Sequence, residues 1–209
     1  MKDKPSEWIA ISDLMAGVMA VVMLLLVVSV VQKQEMARLA QAKDPSQQKL
    51  SKLLSELSTS LSQAPGKEMV VLDIAAKKIT LRDGVFNRGS ACMANASQPS
   101  LENVRQMLTS FLHDIPGGHV YVELHTDDLP VTRPVTDFST YCTVYDDNYT
   151  LSAARAREAR KRLASDLQEA DAKHIVVAGF GDSQPIAGIP PEDARQRRVE
   201  IRLVIPEGL

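Results

Sequence analysis

Cysteine is almost absent: two in 209 residues, too few for a disulfide-built scaffold or a four-thiolate zinc site. An excess of charge of either sign is missing too. Lys and Arg number 24 against 26 Asp and Glu, a formal net charge of −2. That balance excludes the strongly basic surface of a general nucleic-acid binder. Glycines (10) and prolines (11) are too few, and apolar residues at 44% too many, for a mostly disordered chain. The four histidines, His113, His119, His125 and His174, lack metal-ligand spacing and read as structural or exposed. No nucleophile motif or phosphate-cradling glycine loop occurs, so neither an enzyme nor a resident cofactor is expected. Length alone suggests one domain or slightly more.

What is present is unevenly spread. Residues 14–31 carry no charge, and only Ser29 among them is polar. With Ile9, Ala10 and Ile11 the apolar run reaches about 23 residues, roughly 35 Å of helix against a hydrocarbon core of about 30 Å. A cleaved signal peptide would have a shorter apolar region ending in a small-x-small site. This run is longer and ends Val30-Val31-Gln32-Lys33, so a retained membrane helix over 9–31 is expected, after a tail over 1–8. Lys2 and Lys4 precede it and Lys33, Arg38 and Lys43 follow, so the positive-inside rule leaves its orientation open. Asp13 lies about one turn inside the run, after Trp8, whose indole suits the headgroup interface. A carboxylate there is expensive; it reads either as a helix-start residue at the interface or as a functional carboxylate facing a partner helix. Ala10, Ala16, Gly17 and Ala20 would allow close helix packing.

Residues 32–68 form a linker. It is polar to Lys43, punctuated at Asp44-Pro45-Ser46, then carries one apolar stripe of Leu50, Leu53, Leu54, Leu57 and Leu61 before Pro65-Gly66. An isolated helix of this length is marginal in water, so the stripe needs cover. That cover is the following domain or a second copy of the chain.

From 69 onward the pattern alternates between strand and helix. Strands are expected at 69–75, 78–82, 119–125, 174–178 and 199–205, and helices at 101–115 and 152–167. This order predicts an α/β sandwich over 69–209, a mixed sheet with helices on one face. The arginines Arg195, Arg197, Arg198 and Arg202 read as a surface edge.

Four segments carry a resemblance. Trp8, Asp13 and Met15 resemble the membrane helix of MotB-type stator subunits, although Ile11-Ser12 stands where that family has Tyr-Ala. Phe86-Asn-Arg-Gly-Ser-Ala91, His125-Thr126-Asp127-Asp128-Leu-Pro130 and Asn148-Tyr-Thr-Leu151-Ser152-Ala-Ala-Arg155-Ala156 resemble, in order, the motifs of the OmpA-like peptidoglycan-binding domain. Gly179-Phe-Gly181 and Arg195-Gln-Arg-Arg198-Val complete the pattern. The chain is thereby similar to B-type subunits of membrane motors. Its short leading tail and Ile-Ser-Asp-Leu-Met core look closest to the B subunit of the Zorya anti-phage defence motor; a flagellar MotB-type stator and a passive wall anchor are the alternatives.

The resemblance implies a bacterial inner-membrane, single-pass protein with a cytoplasmic amino terminus and a periplasmic domain. It implies a homodimer inserted in a ring of multi-pass MotA-like A-type subunits, with Asp13 carrying a proton or sodium ion. In related stators the segment after the membrane helix can plug the channel. Asp127 would take the ammonium and Arg155 the carboxylate of wall diaminopimelate, with Thr126, Asn148 and Arg198 shaping the pocket. Chemically, a zwitterionic end group needs an anion and a cation held a few ångströms apart on fixed backbone, which these residues can supply. The alternative is a structural Asp127–Arg155 salt bridge. Two departures stand out: the stretch between Asp127 and Asn148 is longer by roughly a dozen residues, and Gln196 replaces the usual Asn. Cys92 and Cys142 are either a disulfide, worth on the order of 4 kcal/mol by loop-closure entropy, or two free thiols.

Overall fold

The computed structural model describes residues 7–41, 45–63 and 67–206, with the side chains of 7–10, 13, 35–41 and 67 excepted. Two compact units result, residues 1–44 and 45–209. The first is built on one helix, α1 (Glu7–Gln41). Within it Leu14–Gln34 is long and apolar enough, by length and composition, to cross a membrane. Its Val, Leu and Met side chains are exposed all round, as suits a helix whose solvent is lipid. Asp13 falls on α1, but its side chain lies outside the described residues, as do the tail over 1–6, Asp44 and Pro65-Gly66.

The second unit opens with α2 (Pro45–Gln63), then β1 (Val70–Asp73), β2 (Lys78–Leu81), α3 (Gln98–Asp114) and β3 (His119–His125). It continues with α4 (Phe138–Tyr141), α5 (Asn148–Leu163), α6 (Glu169–Ala172), β4 (Ile175–Gly181) and β5 (Arg198–Val204). The strands form one mixed sheet in the order β1-β2-β5-β3-β4, with β3 and β4 parallel and the other pairs antiparallel. Ile79 and Leu81, Val120, Val122 and Leu124, and Val199, Ile201 and Leu203 alternate toward the helices and share their core. The α/β sandwich expected from the strand and helix periods is the fold observed.

The helix α2 belongs to this unit. Leu50, Leu54, Leu57 and Leu61 are buried in the same core, and α2 packs on α3. The sequence placed this stripe in a linker ending at 68; its cover is the domain itself. Two more differences bear on the site. α5 begins at Asn148, four residues before the expected 152, because Asp147 caps it by accepting from the Thr150 amide at 2.6 Å. Arg155 therefore sits about two turns into the helix, not in its first turn. The register of β3 against β4 also shifts between Leu124 and His125, so the strand's alternation ends just before Thr126 and Asp127.

Candidate functional site: a cationic cleft beyond β3

The site collects where β3, α5 and the approach to β5 meet. Thr126 and Asp127 follow β3 directly, and Thr126 is held by its amide donating to Gly181 O at 2.8 Å. Asn148 then fixes the next turn, its Nδ2 donating to Asp127 O at 3.2 Å and Leu129 O at 3.0 Å. These residues line a cavity of about 410 Å³ together with Tyr145, Arg155 and Arg197. Four of the five binding residues expected from sequence, Thr126, Asp127, Asn148 and Arg155, share this cavity. Arg198 does not. It lines a second cavity of about 390 Å³ that adjoins the first through Arg88, Gly89, Arg155 and Arg197.

Arg155 is 7% exposed. Its Nε donates to Ser90 O at 2.8 Å, its Nη2 reaches Asn87 O at 3.5 Å, and Phe86 lies under it with the centroid 5.5 Å away. Among the described residues no carboxylate pairs with it. Burial, with the charge of Arg197 adding to it, pulls its pKa below the usual arginine value, yet an arginine stays charged at any physiological pH. The structural Asp127–Arg155 salt bridge is thus not formed.

Asp127 pairs instead with Arg197, whose Nη1 lies 2.5 Å from Asp127 Oδ2. Arg197 also grips Asp83 with Nε at 3.1 Å and Nη2 at 2.6 Å. These hydrogen bonds, Asp83's first, raise the Arg197 pKa. Burial pushes Asp83 upward, but the Arg197 hydrogen bond and charge outweigh it and hold the carboxyl below its usual value. Only Oδ2 of Asp127 is engaged in this way, which leaves Oδ1 for a ligand's ammonium. Thr126 adds a buried hydroxyl with no hydrogen-bond partner among the described residues. A lone buried cation, a half-used carboxylate and an orphaned hydroxyl on one cavity form a complement to a zwitterion.

The basic cluster therefore departs from its sequence reading. Arg197 bridges two carboxylates, and Arg198 is buried, donating to Glu200, Gln196 O and Gln184 O. Gln196, at 1% exposure, accepts from the Ile186 amide and donates to Ile189 O and Pro190 O. It thereby pins the loop before β5, which is how a longer side chain serves at the position where the resemblance expected Asn.

The long stretch after Asp127 forms one wall of the cavity. Cys142 is disulfide-bonded to Cys92, with Cα atoms 5.2 Å apart. Val135 and Tyr145 exchange both backbone hydrogen bonds, at 2.8 and 3.0 Å. Ala91 N donates to Tyr141 O at 3.0 Å, and Tyr145 Oη to Gly89 O at 2.6 Å. The insertion and the 86–93 loop are thus tied to each other beside Arg155.

On the sheet's other face, Glu123, His125 and Glu200 bring possible metal-ligating atoms within 4.8 Å of one another. Both carboxylates are already taken, Glu123 by Arg202 and Glu200 by Arg198 and Lys78. Three cations around two anions make this an ion-pair network, not a cation site.

Solved structures share this architecture. The T6SS cell-wall anchor of Pseudomonas aeruginosa is 28% identical over 76% of this chain and 97% of its own, with a TM-score of 0.52. A MotB-like protein from Desulfovibrio vulgaris is 19% identical over 77% of this chain and 99% of its own, at a TM-score of 0.54. The fold is the one these two structures share. No family model and no curated protein matches the sequence. Four of the five residues singled out by the motifs thus line one cavity, and Arg197, read from sequence as part of a surface edge, joins them there.

Proposed function

We propose that residues 45–209 hold the protein to peptidoglycan by gripping the diaminopimelate end of a stem peptide, and that the amino-terminal helix makes it the B-type subunit of an ion-driven inner-membrane motor. The observation that carries the first half is Arg155, a buried guanidinium with no carboxylate partner among the described residues, lining a cavity that Asp127 also lines. The ligand's carboxylate would complete Arg155, its ammonium would take the free oxygen of Asp127, and the Thr126 hydroxyl would gain its missing partner. The likeness to a wall anchor of Pseudomonas aeruginosa supports this reading.

The motor half rests on Asp13 within an otherwise uncharged run and on the MotB-like fold. Two copies would seat their helices in a ring of multi-pass MotA-like subunits. Asp13 would bind a proton or sodium ion from one side and release it after the ring moves, since its charge state changes which contacts it prefers. The Cys92–Cys142 disulfide favours an oxidising compartment, hence a periplasmic domain and a cytoplasmic amino terminus. The Ile-Ser-Asp-Leu-Met core inclines the assignment to a Zorya-type defence motor over a flagellar stator. A passive anchor is the second reading, favoured by the same wall-anchor likeness.

Co-sedimentation of the full chain with purified peptidoglycan tests the anchor. Retention should fall at least about tenfold in Asp127→Ala and Arg155→Ala; unchanged retention would overturn the site. Asp13→Asn separates motor from anchor: activity should vanish while insertion and wall retention persist, and full activity would leave only the anchor.

A further inference from the structure

The second cavity, the one that Arg198 lines, is more cationic than the first. Arg82, Arg88, Arg155, Arg197 and Arg198 surround it, and Asp83 is its one carboxylate. Asp83 is spent on Arg197 and Glu200 on Arg198. Arg82, Arg88 and Arg155 have no ion pair among the described residues. Unpaired guanidinium charge gathered on one cavity calls for an oxyanion.

We propose that this cavity is a second anion subsite, which receives a further carboxylate of the stem peptide whose diaminopimelate end fills the first. It rests on the wall-peptide reading given above. Arg155 and Arg197 line both cavities, so one ligand can place a carboxylate on each side of Arg155 without leaving the protein. A stem peptide has such groups on either side of diaminopimelate, on the preceding glutamate and at the carboxyl terminus.

The test is calorimetric titration of the full chain in detergent with three soluble diaminopimelate stem peptides: the free acid, the glutamate amide and the carboxyl-terminal amide. One of the two amides should bind the wild type about tenfold more weakly than the acid, and which one identifies the carboxylate. Arg82→Ala should abolish that preference. Equal affinities for all three peptides in the wild type overturn the second subsite and leave the first intact. No binding of any of the three overturns the wall-peptide reading, and the subsite with it.

Discussion

Arg155 and Asp127 were within reach of sequence because each sits in a short motif whose residue types match a zwitterionic ligand. Arg197 was not, because its meaning depends on Asp83, which lies 114 residues away, and on a turn that the periodicity of β5 does not encode. Arg155 holds the 86–93 loop through Ser90 O and Asn87 O as well as facing the cavity. Arg155→Lys keeps the charge and loses the planar fork. It is expected to lower retention on peptidoglycan by about tenfold or more, while leaving the thermal midpoint within a few degrees in a melting scan. His125 gives a pH prediction. Burial, then the charge of Arg198, lowers its pKa from 6.5 to about 4, against smaller opposing effects from Glu200 and Glu123. Folding thus favours the neutral ring. Its contribution is complete above about pH 6.5 and is lost as the pH falls toward 4, with a slope of up to about 1.4 kcal/mol per pH unit. Urea unfolding across that window should show the slope in the wild type and a flatter profile in His125→Gln.

Among the elements, the period of two located β3 and β5 and the period of 3.6 the helices α2, α3 and α5, because one-sided burial writes itself into the alternation; β4 shows no such alternation of burial. The start of α5 escaped because a single capping carboxylate, Asp147, sets it, and α4 and α6 escaped because four residues carry no period. Gly179 shows how closely α5 lies on β4. A Cβ there would stand 2.6 Å from Ala153 Cα and 2.7 Å from Ser152 Oγ, and nearer still to the Ala153 amide. Backbone cannot yield to that, so Gly179→Ala should destabilise by several kcal/mol, about the upper range for overpacking, as measured by urea denaturation. The leucine stripe of α2 was legible, but its partner was not, since the pattern says only that something must cover it. Leu54 is fully buried, and Leu54→Ala should cost about 2–5 kcal/mol. A chain beginning at 67 should lose stability together with those four leucines, while one beginning at 45 should melt cooperatively.

At the scale of the whole molecule, the near-zero charge balance conceals two different regimes. Residues 1–31 hold two lysines and three acids, leaving 22 Lys and Arg against 23 Asp and Glu in the rest. Within that balanced remainder the distribution is uneven, with arginines gathered at the cleft and one of them, Arg155, buried without its anion. A protein carries such a group at a cost in desolvation; on the function proposed above, a wall peptide supplies the missing charge. The most direct test is a crystal structure of residues 45–209 with meso-diaminopimelate. The ligand is expected in the Thr126–Asn148–Arg155 cavity, with a carboxylate about 3 Å from the Arg155 guanidinium and its ammonium on Asp127. Diaminopimelate bound elsewhere, or Arg155 left without an anion at saturating ligand, would contradict it.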